Sequence, residues 1–164
     1  MARNQHTVEK GRKSAETRNK RVSGRIRKKT RGRQKDFKFS RWDLSLAQKR
    51  VSAGLDSESI EAVQDSMGLS NADFAKVIMI SPRTLARRRG EDRLPPEESE
   101  RVYRIGRLFQ LATEILGNEQ EANDWLREPN FALNHQIPFD LIPTEPGAEL
   151  VERVLHQIEY GITV

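Results

Sequence analysis

The chain has 164 residues, 35% of them hydrophobic and 32% charged, which allows one ordinary domain or two small ones with modest cores. It contains no cysteine, which excludes disulfides, cysteine nucleophiles and thiolate metal sites. The net charge of +5 is unevenly spread: residues 1–41 hold 16 Lys or Arg against 3 Asp or Glu, while residues 42–164 carry a net −8, so the basic character belongs to the N-terminal stretch.

Residues 1–36 contain the basic run RIRKKTRGR and few apolar side chains beyond Val8, Val22 and Ile26, and are expected to be a disordered basic tail. Such an arm can strengthen association with DNA or RNA through counterion release, without reading sequence. A solubilising extension, or a start assigned upstream of the true one, is the alternative. Order is expected from Phe37 onward, where Phe37, Phe39, Trp42, Leu44 and Leu46 form the first dense apolar set, as a short strand or a docking segment. A helix over 45–53 closed by Gly54 follows. Asp56 is then expected to cap a helix over 57–67, with Ile60, Val63 and Met67 inward and Gly68 as its stop.

The stretch SNADFAKVIMISPRTLARRRG, residues 70–90, reads as a helix-turn-helix. Ser70 caps the first helix, with Asp73 as its acidic partner, and Phe74, Ala75 and Ile78 lie on one face. Ile80 closes the turn, Ser81 is a second N-cap, Pro82 takes the first helical position and Leu85 points to the core. Arg83, Thr84, Arg87, Arg88 and Arg89 are expected to face outward. Hydroxyls at a helix start followed by arginines suit entry into the major groove, where Arg bonds guanine bidentately and neighbouring charges hold phosphate. The alternative is a helical hairpin with a solvated basic face. The expected DNA-contacting set is Asn71, Ser81, Arg83, Thr84, Arg87, Arg88 and Arg89.

Pro95 and Pro96 prevent the second helix from running on, and a new helix over 97–116 begins with Glu97, Glu98 and Glu100 in its first turn. Val102, Ile105, Phe109, Ala112 and Leu116 form its stripe, widened by Leu108, Leu111 and Ile115, before Gly117 stops it. A short helix over 119–127 presents Ala122, Trp125 and Leu126. Residues 129–138 form a loop anchored by Phe131, Leu133 and Ile137, followed by one helical turn over 138–142. Thr144 caps the last helix, 145–160, whose expected inner face is Leu150, Val151, Val154, Leu155 and Ile158, and Gly161 is its stop. The apolar end Ile162–Thr163–Val164 either folds back or inserts into a partner.

Little in the chain points to catalysis. His6, His135 and His156 are scattered, Glu152 and His156 at i, i+4 have no third ligand nearby in sequence, and there is neither a phosphate-cradling loop nor a nucleophile elbow. No cofactor or metal site is expected. The N-terminus has no apolar signal region and no run long enough to span a bilayer, so the expectation is a soluble cytoplasmic protein without a membrane partner.

The order LPPEESERVYRIGRLFQLATEILGNEQEANDWLREPNFAL, IPFDLI and TEPGAELVERVLHQIEYG resembles the toxin-binding domain of the Xre/MbcA/ParS-type antitoxins, and residues 42–90 resemble the Xre-type helix-turn-helix that precedes it. The resemblance implies an all-α protein: a helix-turn-helix domain at 37–93 and a toxin-binding domain at 94–164. It implies an antitoxin of a type II pair that blocks a toxin, most often a RES-domain, NAD-depleting one, and represses its own operon by binding operator DNA as a homodimer. On this reading Trp125, Leu126, Pro129, Asn130 and Phe131 shape the toxin-binding loop, and Ile158, Glu159, Tyr160 and Gly161 carry the C-terminus to the toxin. Trp125 and Leu126 have a competing role in sealing the core. Two departures stand out: Asn71 where many such motifs carry Gln, and Met79 where they carry Gly at the turn. The basic tail is not part of the pattern. The rival reading is a stand-alone dimeric, phage-like repressor.

Overall fold

In the computed structural model, which describes residues 39–161, local capping chemistry sets most helix boundaries. The expected disordered tail, the start of order at Phe37 and the apolar end at 162–164 lie outside the described residues. A 3-10 turn, Phe39–Arg41, leads into α1 (Leu44–Ala53), where Asp43 accepts the Leu46 amide at 2.7 Å. Helix α2 (Glu58–Ser66) starts from Ser57 with no side-chain cap. The expected cap, Asp56, instead pairs with Arg93 across a short antiparallel bridge, which withdraws it from the helix start.

Helices α3 (Asn71–Val77) and α4 (Pro82–Arg88) are the helix-turn-helix pair, each N-capped by a serine hydroxyl that accepts the amide of the third residue on: Ser70 from Asp73 at 3.1 Å and Ser81 from Thr84 at 3.0 Å. Between them Met79 takes φ +57°, the left-handed conformation that glycine adopts freely. The turn therefore keeps its shape without the glycine, at a backbone cost of about 1–2 kcal/mol.

The 21-residue α5 (Pro96–Leu116) is the spine. Its broad apolar face buries Val102, Ile105, Leu108, Phe109 and Ala112, and it packs against α1, α2, α6 (Glu119–Arg127) and α8 (Glu145–Glu159). Gly106 lets the Phe39 ring lie directly on α5, since a Cβ there would overlap it. Phe39 meets Trp42 and Tyr103 edge-on, Trp42 stacks on Tyr103 at 5.8 Å, and Arg50 covers Trp42 at 4.6 Å. The dense aromatic set at the start of the ordered chain thus pins that segment to the spine.

After α6 come a 3-10 turn (Phe131–Leu133) and the single-turn α7 (Pro138–Leu141). Thr144 caps α8 as expected, by accepting the Gly147 amide, and Gly161 takes φ +64° beyond its end. The inner face of α8 is narrower than the sequence suggests. Val151, Val154 and Leu155 are buried, but Leu150, at the edge of the stripe, and Ile158, beside the C-terminal end of the helix, stand 42% and 39% exposed. A single hydrophobic cluster runs from Phe39 through Phe74 and Leu85 to Leu126, Ile142 and Leu155, so both halves of the described chain share one core.

Candidate DNA-binding and toxin-binding surfaces

The second helix of the helix-turn-helix presents a smaller basic face than its composition suggests. Arg83 is exposed, Arg87 is largely exposed with a long 3.5 Å pairing to Glu91, and Thr84 is half-buried with its hydroxyl 2.9 Å from that of Ser81. Arg88 and Arg89 do not face outward. The Arg88 side chain is only 15% exposed, and its guanidinium meets Glu98 of α5 through two bonds of 2.7 and 2.8 Å, and Glu91 through a third of 2.8 Å. Hydrogen bonds to these two carboxylates hold the guanidinium in its charged form well above the ordinary arginine range. Arg89 donates to Gln64 of α2 and, at 2.9 Å, to the Asn71 side-chain oxygen. Heptad-like spacing could not reveal this, because the acceptors come from α2, α3 and α5. Asn71 also accepts from Gln64, so its oxygen is committed inside the fold and only its amide nitrogen remains to donate to a phosphate. Ser81 is exposed but its oxygen serves as the cap of α4.

The second surface lies on the other half. Leu126 is 1% exposed and belongs to the core, which rules it out as a surface contact in this fold; Trp125 is half-buried against the same core. Pro129 is exposed, and the Asn130 side chain accepts the Ala132 amide at 2.9 Å, stabilising the turn that displays Phe131 at 73% exposure. At the end of α8, Ile158, Glu159, Tyr160 and Gly161 are all exposed, Tyr160 at 73%. His156 bonds Glu159 at 3.0 Å and stacks beside Tyr160. One turn back, Arg107 of α5 grips Glu152 through bonds of 2.7 and 2.6 Å, and this contact lowers the Glu152 carboxyl below its usual range. Glu152 is therefore occupied as an ion-pair partner. No group of three or more His, Asp or Glu side chains is placed to hold a metal ion among the described residues.

The two surfaces are mechanically joined. Arg127, the last residue of α6, donates to the Met67 carbonyl at the end of α2 at 2.9 Å, and Asn123 reaches the Ser66 carbonyl at 3.4 Å. Arg101 of α5 donates to Ile78 at 3.4 Å, and Lys76 of α3 pairs with Asp140 of α7 at 3.5 Å. A cation at the end of α2 also suits the negative end of the helix dipole. None of these partners is near the other in sequence.

Two family models match the chain. Residues 46–107 match the antitoxin Xre-like helix-turn-helix domain, and residues 111–161 match the antitoxin Xre/MbcA/ParS C-terminal toxin-binding domain. An antitoxin Xre of Yersinia enterocolitica is 31% identical over 114 residues, which is 68% of this chain and 77% of that protein. The chain belongs to the Xre antitoxin family. Its relatives are antitoxins and not enzymes. The antitoxin Xre of Photorhabdus laumondii is 26% identical over the same shares of each chain. The fold of this Xre-family antitoxin is also similar to a chain in the crystal structure of the Mycobacterium tuberculosis MbcT-MbcA toxin-antitoxin complex, with a TM-score of 0.53 and 21% identity over 66% of this chain and 96% of that one. Among the described residues no helix is long and apolar enough to cross a membrane.

Proposed function

We propose that this antitoxin, acting in the cytoplasm as a homodimer, neutralises a RES-domain, NAD-depleting toxin through its C-terminal domain and represses its own operon through α3 and α4. The observation that carries the first part is the exposed end of α8: Ile158, Glu159, Tyr160 and Gly161 stand clear of the core within the segment matching the toxin-binding family model. Phe131, Pro129 and Asn130 add a loop to that surface, with Trp125 behind it. On the other half, Arg83, Thr84 and Arg87, at the start of a capped helix, supply groove contacts, and Ser81 and Asn71 contribute to phosphate.

Co-expression with the product of the adjacent gene tests the neutralising role. The full chain restores growth, whereas a chain lacking residues 158–164 keeps its helical circular dichroism and its operator binding but restores no growth. Equal rescue by both removes the C-terminal end from the inhibitory machinery. A full chain that binds operator yet rescues nothing makes the protein a stand-alone repressor.

On operator DNA, Arg83→Ala and Arg87→Ala each weaken binding by about 1–3 kcal/mol if the side chain reaches a base edge. Gel-shift titrations against operator and random duplexes separate the cases, because an equal loss on both marks a phosphate contact.

A further inference from the structure

The loop between α6 and α7 holds two consecutive non-glycine residues in the left-handed region, Asn134 at φ +54° and His135 at φ +60°. Asparagine and histidine visit this region more often than most residues, but each does so at a cost that glycine avoids. The strain is held by a closed set of bonds. The Asn130 amide donates to Gln136 at 3.0 Å, His135 donates back to the Asn130 carbonyl at 2.9 Å, and Asn134 donates to Phe131 at 3.0 Å. The result is a hydrogen-bonded rim that displays two exposed rings, Phe131 and His135, edge-to-face at 5.4 Å.

Neither ring serves the core. Phe131 is 73% exposed while its neighbour Leu133, two residues on, supplies the buried anchor of the same turn. A loop that only connected α6 to α7 would lose nothing with glycine at 135 and a polar residue at 131. Backbone strain kept beside an exposed aromatic group is what a binding site needs, since a prearranged aromatic anchor loses little freedom on association.

We infer that His135 is a specificity-determining contact for the toxin, acting with Phe131 as one aromatic unit: the phenyl ring enters an apolar pocket and the imidazole bonds a polar group at its edge. This rests on the toxin-binding reading of the C-terminal domain, whose matched segment, residues 111–161, contains the whole loop.

The test pairs thermal unfolding with calorimetric titration of the full-length chain against the protein encoded by the adjacent gene. Wild type is measured first; if it does not bind, the toxin-binding reading itself fails and the inference falls with it. Given binding, His135→Gly raises the melting temperature by about 2–4 °C and weakens toxin binding about tenfold or more. His135→Asn, which keeps a residue at ease in the left-handed region, weakens binding similarly, which assigns the loss to the imidazole and not to a loosened loop. Phe131→Ala leaves the melting temperature within a degree or so and weakens binding about thirtyfold or more. Met79→Gly is the control: it relieves the same kind of strain and raises the melting temperature, with affinity unchanged. Wild-type affinity in either His135 variant overturns the inference. So does a Phe131→Ala chain that keeps toxin affinity but loses self-association in sedimentation, which gives the rings to a second copy of this chain.

Discussion

Gly147→Ala is expected to lower the stability of the protein by about 3 kcal/mol, with a fall in melting temperature of about 10 °C. Gly147 sits in the first turn of α8, where helix propensity alone favours alanine by up to about 1 kcal/mol. Propensity loses because the end of α7 lies directly over this turn. A Cβ at 147 would overlap the Leu141 carbonyl oxygen and would stand 2.8 Å from the Leu141 carbonyl carbon and 2.9 Å from the Thr144 hydroxyl. These are backbone atoms and a capping hydroxyl, so no side chain can swing away. The α7–α8 corner has to open, and the Thr144 cap on the Gly147 amide opens with it. Thermal unfolding followed by circular dichroism checks this. On the proposed function, the same variant should also restore less growth in the co-expression assay at growth temperature, because α8 carries the C-terminal end. A variant as stable as the wild type would mean that the corner relaxes at little cost.

Breaking the Arg88–Glu98 pair is expected to have the second large effect, about 3 kcal/mol for Arg88→Ala. The Arg88 side chain is 15% exposed and that of Glu98 12% exposed, so truncation leaves a carboxylate that water reaches poorly. The start of α5 eases this through its dipole, though by no more than about 1 kcal/mol. A paired Arg88→Met, Glu98→Gln chain should recover much of the loss, since neither charge is then stranded. Denaturant unfolding of the two singles and the double measures the coupling. Operator titration of the folded fraction adds a second reading. If Arg88 acts through the position of α4 and not through DNA, its loss weakens operator and random DNA less than Arg87→Ala does. A loss of operator affinity with no loss of stability would return Arg88 to the DNA surface.

What could be read from the chain depended on whether the deciding partner was local. Ser70, Ser81 and Thr144 each cap a helix by bonding an amide three residues on, so those starts are readable. Gly117 and Gly161 stop helices through their own backbone freedom. The all-α architecture, the helix-turn-helix and the amphipathic spine follow from such short-range rules. The inward turn of Arg88 and Arg89 is not legible locally, because Glu98, Gln64 and Asn71, which draw them in, lie 10 to 25 positions away on other helices. Leu126 and Ile158 look alike as apolar residues near the ends of amphipathic helices, yet one is buried and the other stands exposed on the same face as buried Val151 and Leu155. That difference is set by which neighbours cover each helix end. Asn134 and His135 carry a weak signal of their own: asparagine hints at a left-handed turn, but nothing local says that the histidine must share it.

The bonds of Arg127 to Met67, Asn123 to Ser66 and Lys76 to Asp140 bear on how such a protein can change over time. A gene exchange with a breakpoint anywhere between positions 76 and 123 delivers a helix-turn-helix half and a C-terminal half whose joining residues were never selected together. Such hybrids inherit unmatched charges and carbonyls along the join, and a breakpoint within Pro96–Leu116 also leaves a spine helix drawn from two different cores. Exchange of whole genes, or gradual paired substitution at the join, keeps these contacts intact. If the proposed function holds, toxin preference and operator preference are therefore expected to descend together, as one heritable unit.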